Sequence, residues 1–207
     1  MTRFTLHRGD LPSGMDFGSS VAVDSETMGL QIGRDRLCLV QLSAGDGTAH
    51  LVQMGRPGPD GRFHAPNLAA LLADRSVTKL FHFARFDVAV LGHSLGITVS
   101  PVYCTKIASR LTRTYTDRHG LKDLVKEVLG VEISKQQQSS DWGADELTEE
   151  QLAYAASDVL YLHALRQKLD RVLEREGRTE VAAACFAFLP ARADLDRMGW
   201  PGDIFEH

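Results

Sequence analysis

The sequence VAVDSETMGL (residues 21–30) joins an apolar run to two closely spaced acidic residues. The run from Val21 to Val23 predicts a buried β-strand that ends at Asp24. Side chains two residues apart on a strand share a face, so the carboxylates of Asp24 and Glu26 are expected to point the same way. Carboxylate oxygens suit hard cations such as Mg²⁺ or Mn²⁺. This stretch therefore predicts a metal-binding pair at the end of a core strand.

The regions that follow predict a mixed α/β architecture. Two strands at 37–43 and 49–53 are joined through the turn sequence GDG (residues 45–47), which gives a leading antiparallel three-strand meander. Strands at 79–82 and 102–104 then alternate with helices. The helices are predicted at 67–73, around Asp87, and at 105–111, 121–129, 149–174 and 180–189, with Thr148 as the N-cap of the segment from 149. Such a meander flanked by helices is typical of a ribonuclease H-like α/β fold.

Two later segments carry further acidic residues within apolar surroundings. Asp87 lies in FHFARFDVAVL (residues 81–91), and LAYAASDVLYL (residues 152–162) contains Tyr154 and Asp158. The last two are four apart in a helical pattern, so they share a face. Taken singly, each acid has an ordinary explanation as a solvated strand end, an ion pair with Arg85 or a helix N-cap. Their order, DxE then D then YxxxD, indicates a two-metal phosphodiesterase site instead.

The chemistry of phosphodiester hydrolysis accounts for this set of residues. The reaction needs hydroxide near neutral pH and positive charge beside the attacking and leaving oxygens, which two ions roughly 4 Å apart can supply. Asp24, Glu26 and Asp158 are expected to bind one ion, with Asp24 shared by a second ion that Asp87 supports. Tyr154 is expected to position the nucleophilic water, since a phenol with a pKa near 10 is a poor base at neutral pH.

These motifs resemble those of the DEDDy 3′-5′ exonucleases, in which a tyrosine stands four residues before the last aspartate. The resemblance is strongest to the ribonuclease D group, with KQQQSSDW (residues 135–142) similar to the segment before its third motif. The stretches DRLCLVQLS, CTKIASRLTRTYTDRHGLK and ADLDRMGW further resemble the nano-RNase C family of stand-alone alphaproteobacterial diribonucleases. The resemblance implies the DnaQ-like exonuclease variant of the ribonuclease H-like fold, two Mg²⁺ or Mn²⁺ ions, and release of nucleoside 5′-monophosphates from dinucleotides or very short RNA.

Substrate-binding residues follow partly from this resemblance. Leu30 stands where similar small exonucleases place a leucine between the last two bases, although ordinary packing is the alternative. Phe83 is either a core residue or a stacking surface for a base. The complete set of candidates is Thr27, Met28, Leu30, His82 and Phe83 around the reaction centre, with Arg113, Lys135, Gln136 and Gln138 for the capped 5′ phosphate.

Charge and composition bear on the substrate. The 207 residues are 43% hydrophobic and carry a formal charge of −4, which suits one buried core and a short substrate better than long nucleic acid. Bases outnumber acids between residues 104 and 135, where phosphate binding is expected, although Lys122 and Lys126 also suit the solvated face of a helix. The alternatives are longer RNA or single-stranded DNA as substrate and, from another class, a non-catalytic nucleic-acid-binding protein.

The remaining features concern organisation and location. Little sequence follows the third motif, so residues 1–207 are expected to form a single 3′-5′ exonuclease domain without accessory helical domains. Three widely spaced cysteines and the lack of an apolar segment of spanning length predict a cytoplasmic protein with no membrane contact. The family resemblance implies a homo-octamer, and the apolar residues between Phe186 and Phe205 suit either an interface or packing on the same domain.

Overall fold

The apolar run before Asp24 forms the middle of a six-stranded mixed sheet. The computed structural model describes residues 3–134, 136–137 and 139–206. The strands are β1 (Arg3–Arg8), β2 (Ser20–Thr27), β3 (Leu37–Ser43), β4 (Thr48–Gln53), β5 (Thr78–Phe81) and β6 (Val102–Cys104). The helices are α1 (Pro66–Ala73), α2 (Ala84–Leu95), α3 (Thr105–Thr112), α4 (Leu121–Leu129), α5 (Glu149–Leu160), α6 (Leu162–Arg175) and α7 (Thr179–Arg197).

The strand order is β1-β4-β3-β2-β5-β6. The antiparallel pairs β2·β3 and β3·β4 confirm the predicted meander, and β5 and β6 add to it in parallel. Strand β1 was not predicted; it pairs parallel with β4 at the edge of the sheet. Its sequence RFTLHR has only two apolar positions, and an edge strand of this kind gives a weak hydrophobic signal.

Strand β2 is longer than predicted. Val21, Ala22 and Val23 are fully buried as expected, but pairing with β3 continues past Asp24 to Thr27. The register shifts between Glu26 and Thr27, so a β-bulge ends the regular pairing there. Both acidic residues therefore lie within the paired strand, where the backbone fixes their positions.

The long helix predicted at 149–174 is wrong as a single element. It is divided at Tyr161 into α5 and α6. Thr148 caps α5 as predicted, because its hydroxyl accepts from the Gln151 backbone while the Gln151 side chain accepts from the Thr148 backbone. Helix α5 packs across β1 to β4, which places Tyr154 and Asp158 over the sheet. Helix α7 continues to Arg197, beyond the predicted end at 189.

None of the helices in these ranges combines the length and apolar character that crossing a bilayer requires.

Candidate active site

A cavity of about 660 Å³ opens where β2 and β5 end. Five chain segments contribute to its walls: the end of β2 with the following loop, the β5–α2 junction, Lys106 on α3, the start of α4, and α5 with the segment before it. The predicted residues that line it are Asp24, Glu26, Thr27, Met28, Leu30, His82, Phe83, Asp87, Tyr154 and Asp158. All five predicted catalytic residues and five of the nine predicted substrate-binding residues therefore meet in one place.

The acidic residues form a tight cluster. One carboxylate oxygen from each of Asp24, Glu26 and Asp158 lies within 4.8 Å of the others. Asp87, in the first turn of α2, is held beside them because the Ser25 hydroxyl donates a 2.6 Å hydrogen bond to its Oδ1. Ser25 lies between Asp24 and Glu26 in sequence, and alternation along the strand turns it toward α2. Three consecutive residues of β2 thus supply two of the acids and hold a third, Asp87.

Burial, together with repulsion between the carboxylates, raises the pKa values within this cluster. Desolvation raises the pKa of Asp24 well above its usual range, and the charges of Asp87, Asp158 and Glu26 raise it further. The pKa of Glu26 is raised to about 9, mainly by burial and then by Asp158 and Asp87. Burial raises the pKa of Asp87 to about 7 despite the opposing hydrogen bond from Ser25. Such a group of carboxylates needs cations to be fully ionised at neutral pH.

Tyr154 stays protonated in this setting. Burial raises its pKa, and the negative charges of Asp158, Glu26 and Asp24 raise it further. Its side chain is hydrogen-bonded to that of Asp158, and its ring lies beside that of Trp142, with centroids 6.1 Å apart. A phenol that keeps its proton can donate and orient but cannot act as a base. Proton abstraction by Tyr154 is therefore disfavoured in this environment.

Large apolar side chains stand at the mouth of the cavity. Leu30 is 83% exposed, Met28 59% and Phe83 48%. Ordinary core packing, the alternative considered for Leu30, is therefore wrong. The loop that carries Leu30 is closed by hydrogen bonds between Gln31 and Asp35. A Cβ atom at Gly29 would lie 2.3 Å from the Asp35 carboxylate, so a side chain there would displace this carboxylate from its hydrogen bond with the Gln31 backbone.

Phe83 has an unusual backbone. Its φ of +68° is in the left-handed region, the only such value for a non-glycine residue in the described ranges. It is the N-cap residue of α2, two residues after the end of β5. Its ring lies under the Lys106 ammonium, with Nζ 4.1 Å from the ring centroid. Strained conformations of this kind are found at functional sites, where they direct a side chain to a particular place.

Arg113 does not line the cavity. Its side chain is buried, forms a two-point ion pair with Glu127, and donates to the Ser109 hydroxyl and the Arg118 carbonyl. Sequence placed it in a loop, but the turn after α3 folds it inward as a structural tie to α4. Its predicted contact with phosphate has no geometric support in the described fold.

The segment before α5 was predicted to bind the 5′ phosphate. Gln136 is exposed and does not line the cavity, whereas its neighbours Ser134, Ser139 and Ser140 do. Lys135 and Gln138 lie outside the described residues.

The sequence reading missed several residues of the site. Lys106 lines the cavity, and so does Lys122, which was assigned to the solvated face of α4. Trp142 and Phe86 are also in the wall. Trp142 had a signal in the sequence, because it is the last residue of the segment KQQQSSDW. In the structure its ring lies beside that of Tyr154. Lys106 has no local signal, because it reaches the site only through the packing of α3 beside Phe83.

Comparison with known proteins agrees with this geometry. A family model described as 3′-5′ exonuclease matches residues 12–174. The chain belongs to this family.

Within the family the chain is ribonuclease D-like. Ribonuclease D of Gluconacetobacter diazotrophicus is 37% identical over 169 residues, which are 82% of this chain and 42% of that protein. The chain thus spans about two fifths of the length of the curated relatives it matches. A solved structure of Brucella melitensis NrnC bound to pGG is 57% identical with a TM-score of 0.95, and the match covers 100% of both chains. A second, with bound Mg²⁺, is 56% identical with a TM-score of 0.92 and covers 99% of each chain. The ribonuclease H-like exonuclease fold is thereby confirmed.

The proton-holding cluster predicts a pH-dependent stability of the metal-free protein. In the folded state the raised pKa values of Glu26 and Asp87 keep both side chains protonated to higher pH. In the unfolded chain their pKa values return to the ordinary 4.5 and 3.8, so the protons are released. Unfolding then releases protons, so the free energy of unfolding falls as pH rises from about 4 to about 9. We expect the melting temperature in EDTA to fall by roughly 5 °C or more between pH 5 and pH 9. Thermal denaturation across this range measures it.

Saturating Mn²⁺ should reduce this slope, because cations replace the protons. Glu26→Gln should flatten it without metal. A slope that neither change alters would show that the cluster is not its source.

Proposed function

We propose that the chain is a divalent-metal-dependent 3′-5′ exoribonuclease that cleaves dinucleotides and very short RNA to nucleoside 5′-monophosphates. The observation that carries the proposal is the convergence of Asp24, Glu26, Asp87, Tyr154 and Asp158 in one cavity. The likeness of the whole chain to Brucella melitensis NrnC, solved with pGG and with Mg²⁺, supports the choice of substrate and metal.

The residues present fit two Mg²⁺ or Mn²⁺ ions. The four carboxylates offer hard oxygen ligands, and burial raises the pKa values of Asp24, Glu26 and Asp87. Asp24, Glu26 and Asp158 would hold one ion, and Asp24 with Asp87 the other. Bound there, the cations supply the positive charge that lowers the pKa of water and stabilises charge on the scissile phosphate.

The protein side chains supply orientation. The Tyr154 hydroxyl stays protonated beside Asp158 and would hold the attacking water in line with phosphorus. Leu30 and Phe83, on opposite segments of the cavity mouth, would contact the two bases of a dinucleotide. Lys106 and Lys122 place positive charge in the same cavity, where a phosphate would be neutralised.

One observation favours the alternative of a longer substrate. A neighbouring cleft of about 710 Å³ shares Met28 and Trp142 with the active-site cavity and is lined by Arg8, Arg36 and Arg56. Guanidinium groups in a continuous groove suit the phosphates of longer RNA or single-stranded DNA. This is the second candidate function.

Organisation and location complete the proposal. A homo-octamer is proposed from the resemblance, and the exposed Met198, Trp200, Ile204 and Phe205 offer apolar surface for contact between subunits. A single domain over 1–207 and a cytoplasmic location are likewise proposed, the latter supported by the free thiols of Cys38, Cys104 and Cys185.

Removal of a metal-binding carboxylate tests the reaction. We expect Asp24→Ala and Asp158→Ala each to lower hydrolysis of a 5′-labelled dinucleotide in excess Mn²⁺ by roughly 10³-fold or more, since each removes a ligand and its charge. Glu150→Ala, an exposed acid on the same helix as Asp158, is the matched control and should retain full activity. Substantial turnover in the aspartate variants would refute the assigned site.

Substrate length separates the two candidate functions. Time-resolved cleavage of 5′-labelled RNAs of two to seven nucleotides should show the dinucleotide cleaved fastest, because Leu30 and Phe83 offer two apolar surfaces for two bases. Equal rates at all lengths would reject the dinucleotide preference and favour the arginine-lined cleft as a path for longer strands.

Leu30 provides a test of base contact. Leu30→Ala should weaken dinucleotide binding about tenfold, since one base contact is worth about 1–3 kcal/mol. Binding is measured with Ca²⁺ in place of Mn²⁺ so that turnover does not intervene. Val181→Ala, an exposed apolar residue on α7, should bind as the unaltered protein does. Unchanged affinity in Leu30→Ala would remove the wedge from the proposal.

A further inference from the structure

Strand β3 carries a buried amide directly beside the acidic cluster. Gln41 has no exposed surface, and neither Nε2 nor Oε1 has a hydrogen-bond partner among the residues that the structure describes. Buried polar side chains in native proteins are almost always satisfied by protein or by ordered water. A buried glutamine whose amide has no protein partner at either end in the described part of the chain is therefore expected to bind an ordered water molecule.

The register of the sheet identifies the neighbouring polar group. Gln41 is directly opposite Asp24 in the antiparallel pair β2·β3 and opposite Leu51 in β3·β4. Residues opposite one another in an antiparallel pair project from the same face, with Cβ atoms about 5 Å apart. The Gln41 amide and the Asp24 carboxylate are thus side by side on one face of the sheet.

That face is the one covered by α5. Gln53, on the same face of β4 as Leu51, donates from Nε2 to the carbonyls of Ala144 and Asp145, in the segment that leads into α5. Helix α5 packs on β3 and buries Ala155, Ala156 and Val159, which offer no side-chain partner.

The other neighbours on the face are also excluded. Leu39 and Leu51 are apolar, and the Ser43 hydroxyl already donates to the Thr48 carbonyl at 2.8 Å. Asp24, directly opposite Gln41 in the β2·β3 register, has a side chain that can accept a hydrogen bond.

We propose that Gln41 is a positioning residue for Asp24, whose carboxylate it holds through one buried water molecule. The water accepts from Nε2 and donates to the carboxylate, which fixes the carboxylate in the orientation needed to bind metal. Groups behind a metal ligand orient it, and their loss typically costs 10- to 100-fold in metal affinity. The inference rests on the proposed function, in which Asp24 is a metal ligand, and adds a residue that does not line the cavity.

Gln41→Met tests this at nearly constant volume. Mn²⁺ titration by calorimetry, with no substrate present, should show affinity reduced by about tenfold. Turnover should recover when Mn²⁺ is raised, so the metal concentration for half-maximal rate moves while the maximal rate changes little. A purely structural role would instead lower the melting temperature and leave metal affinity unchanged.

Gln53→Met is the matched control. Gln53 is buried on the same face, its Oε1 is also without a partner in the described ranges, and it does not neighbour Asp24 across the strands. It should keep the Mn²⁺ affinity of the unaltered protein. Affinity within twofold of the unaltered protein in Gln41→Met, or an equal loss in both variants, overturns the inference.

Two further measurements keep the outcome decisive. Asp24→Ala must itself lose Mn²⁺ affinity; if it does not, the proposed metal site fails and not the role of Gln41. Should Gln41→Met not fold, a high-resolution crystal structure of the unaltered protein decides. An ordered water within hydrogen-bond distance of both the Gln41 amide and the Asp24 carboxylate supports the inference. A structure without this water, in which Gln41 contacts only the α5 backbone, overturns it.

Discussion

Electrostatic repulsion among four clustered carboxylates is the constraint around which this chain is organised. Asp24, Glu26 and Asp158 bring oxygens within 4.8 Å of one another, and Asp87 adds a fourth charge at the same place. Isolated from the rest of the protein, such groups would separate or take up protons. They stay together because three rigid elements fix them: β2 carries Asp24 and Glu26, α2 carries Asp87 and α5 carries Asp158.

Local interactions around the cluster reduce the electrostatic free energy of bringing the carboxylates together, but they do not cancel it. The Ser25 hydroxyl bonds to Asp87, the Tyr154 side chain bonds to Asp158, and Lys106 and Lys122 stand in the cavity wall. The salt bridges among the described residues do not include Asp24, Glu26 or Asp87. Cations that bind this cluster in the folded state would therefore stabilise the fold.

The sequence predicted those parts of the site that depend on spacing along one element. Val21 to Val23 marks a core strand, and Tyr154 with Asp158 marks one helical face. It did not predict what depends on contacts between elements. Arg113 looked like a loop cation but is buried against Glu127, and Lys79 lies fully buried in β5 with Nζ donating to three carbonyls. The sequence also did not predict the division at Tyr161 or the parallel edge strand β1, because neither is marked by turn residues or an apolar run. Both depend on tertiary packing.

The left-handed backbone at Phe83 lowers the stability of the fold while it presents an aromatic ring at the cavity mouth. A phenylalanine with φ of +68° adopts a conformation that costs of order 1 kcal/mol and that glycine or asparagine would tolerate better. Its ring is half exposed, so core packing returns little of that cost. Selection for stability alone would therefore replace it. If Phe83 contacts a base as proposed, an aromatic ring should be retained at this turn in related chains that bind the same substrate, because stability alone does not favour it.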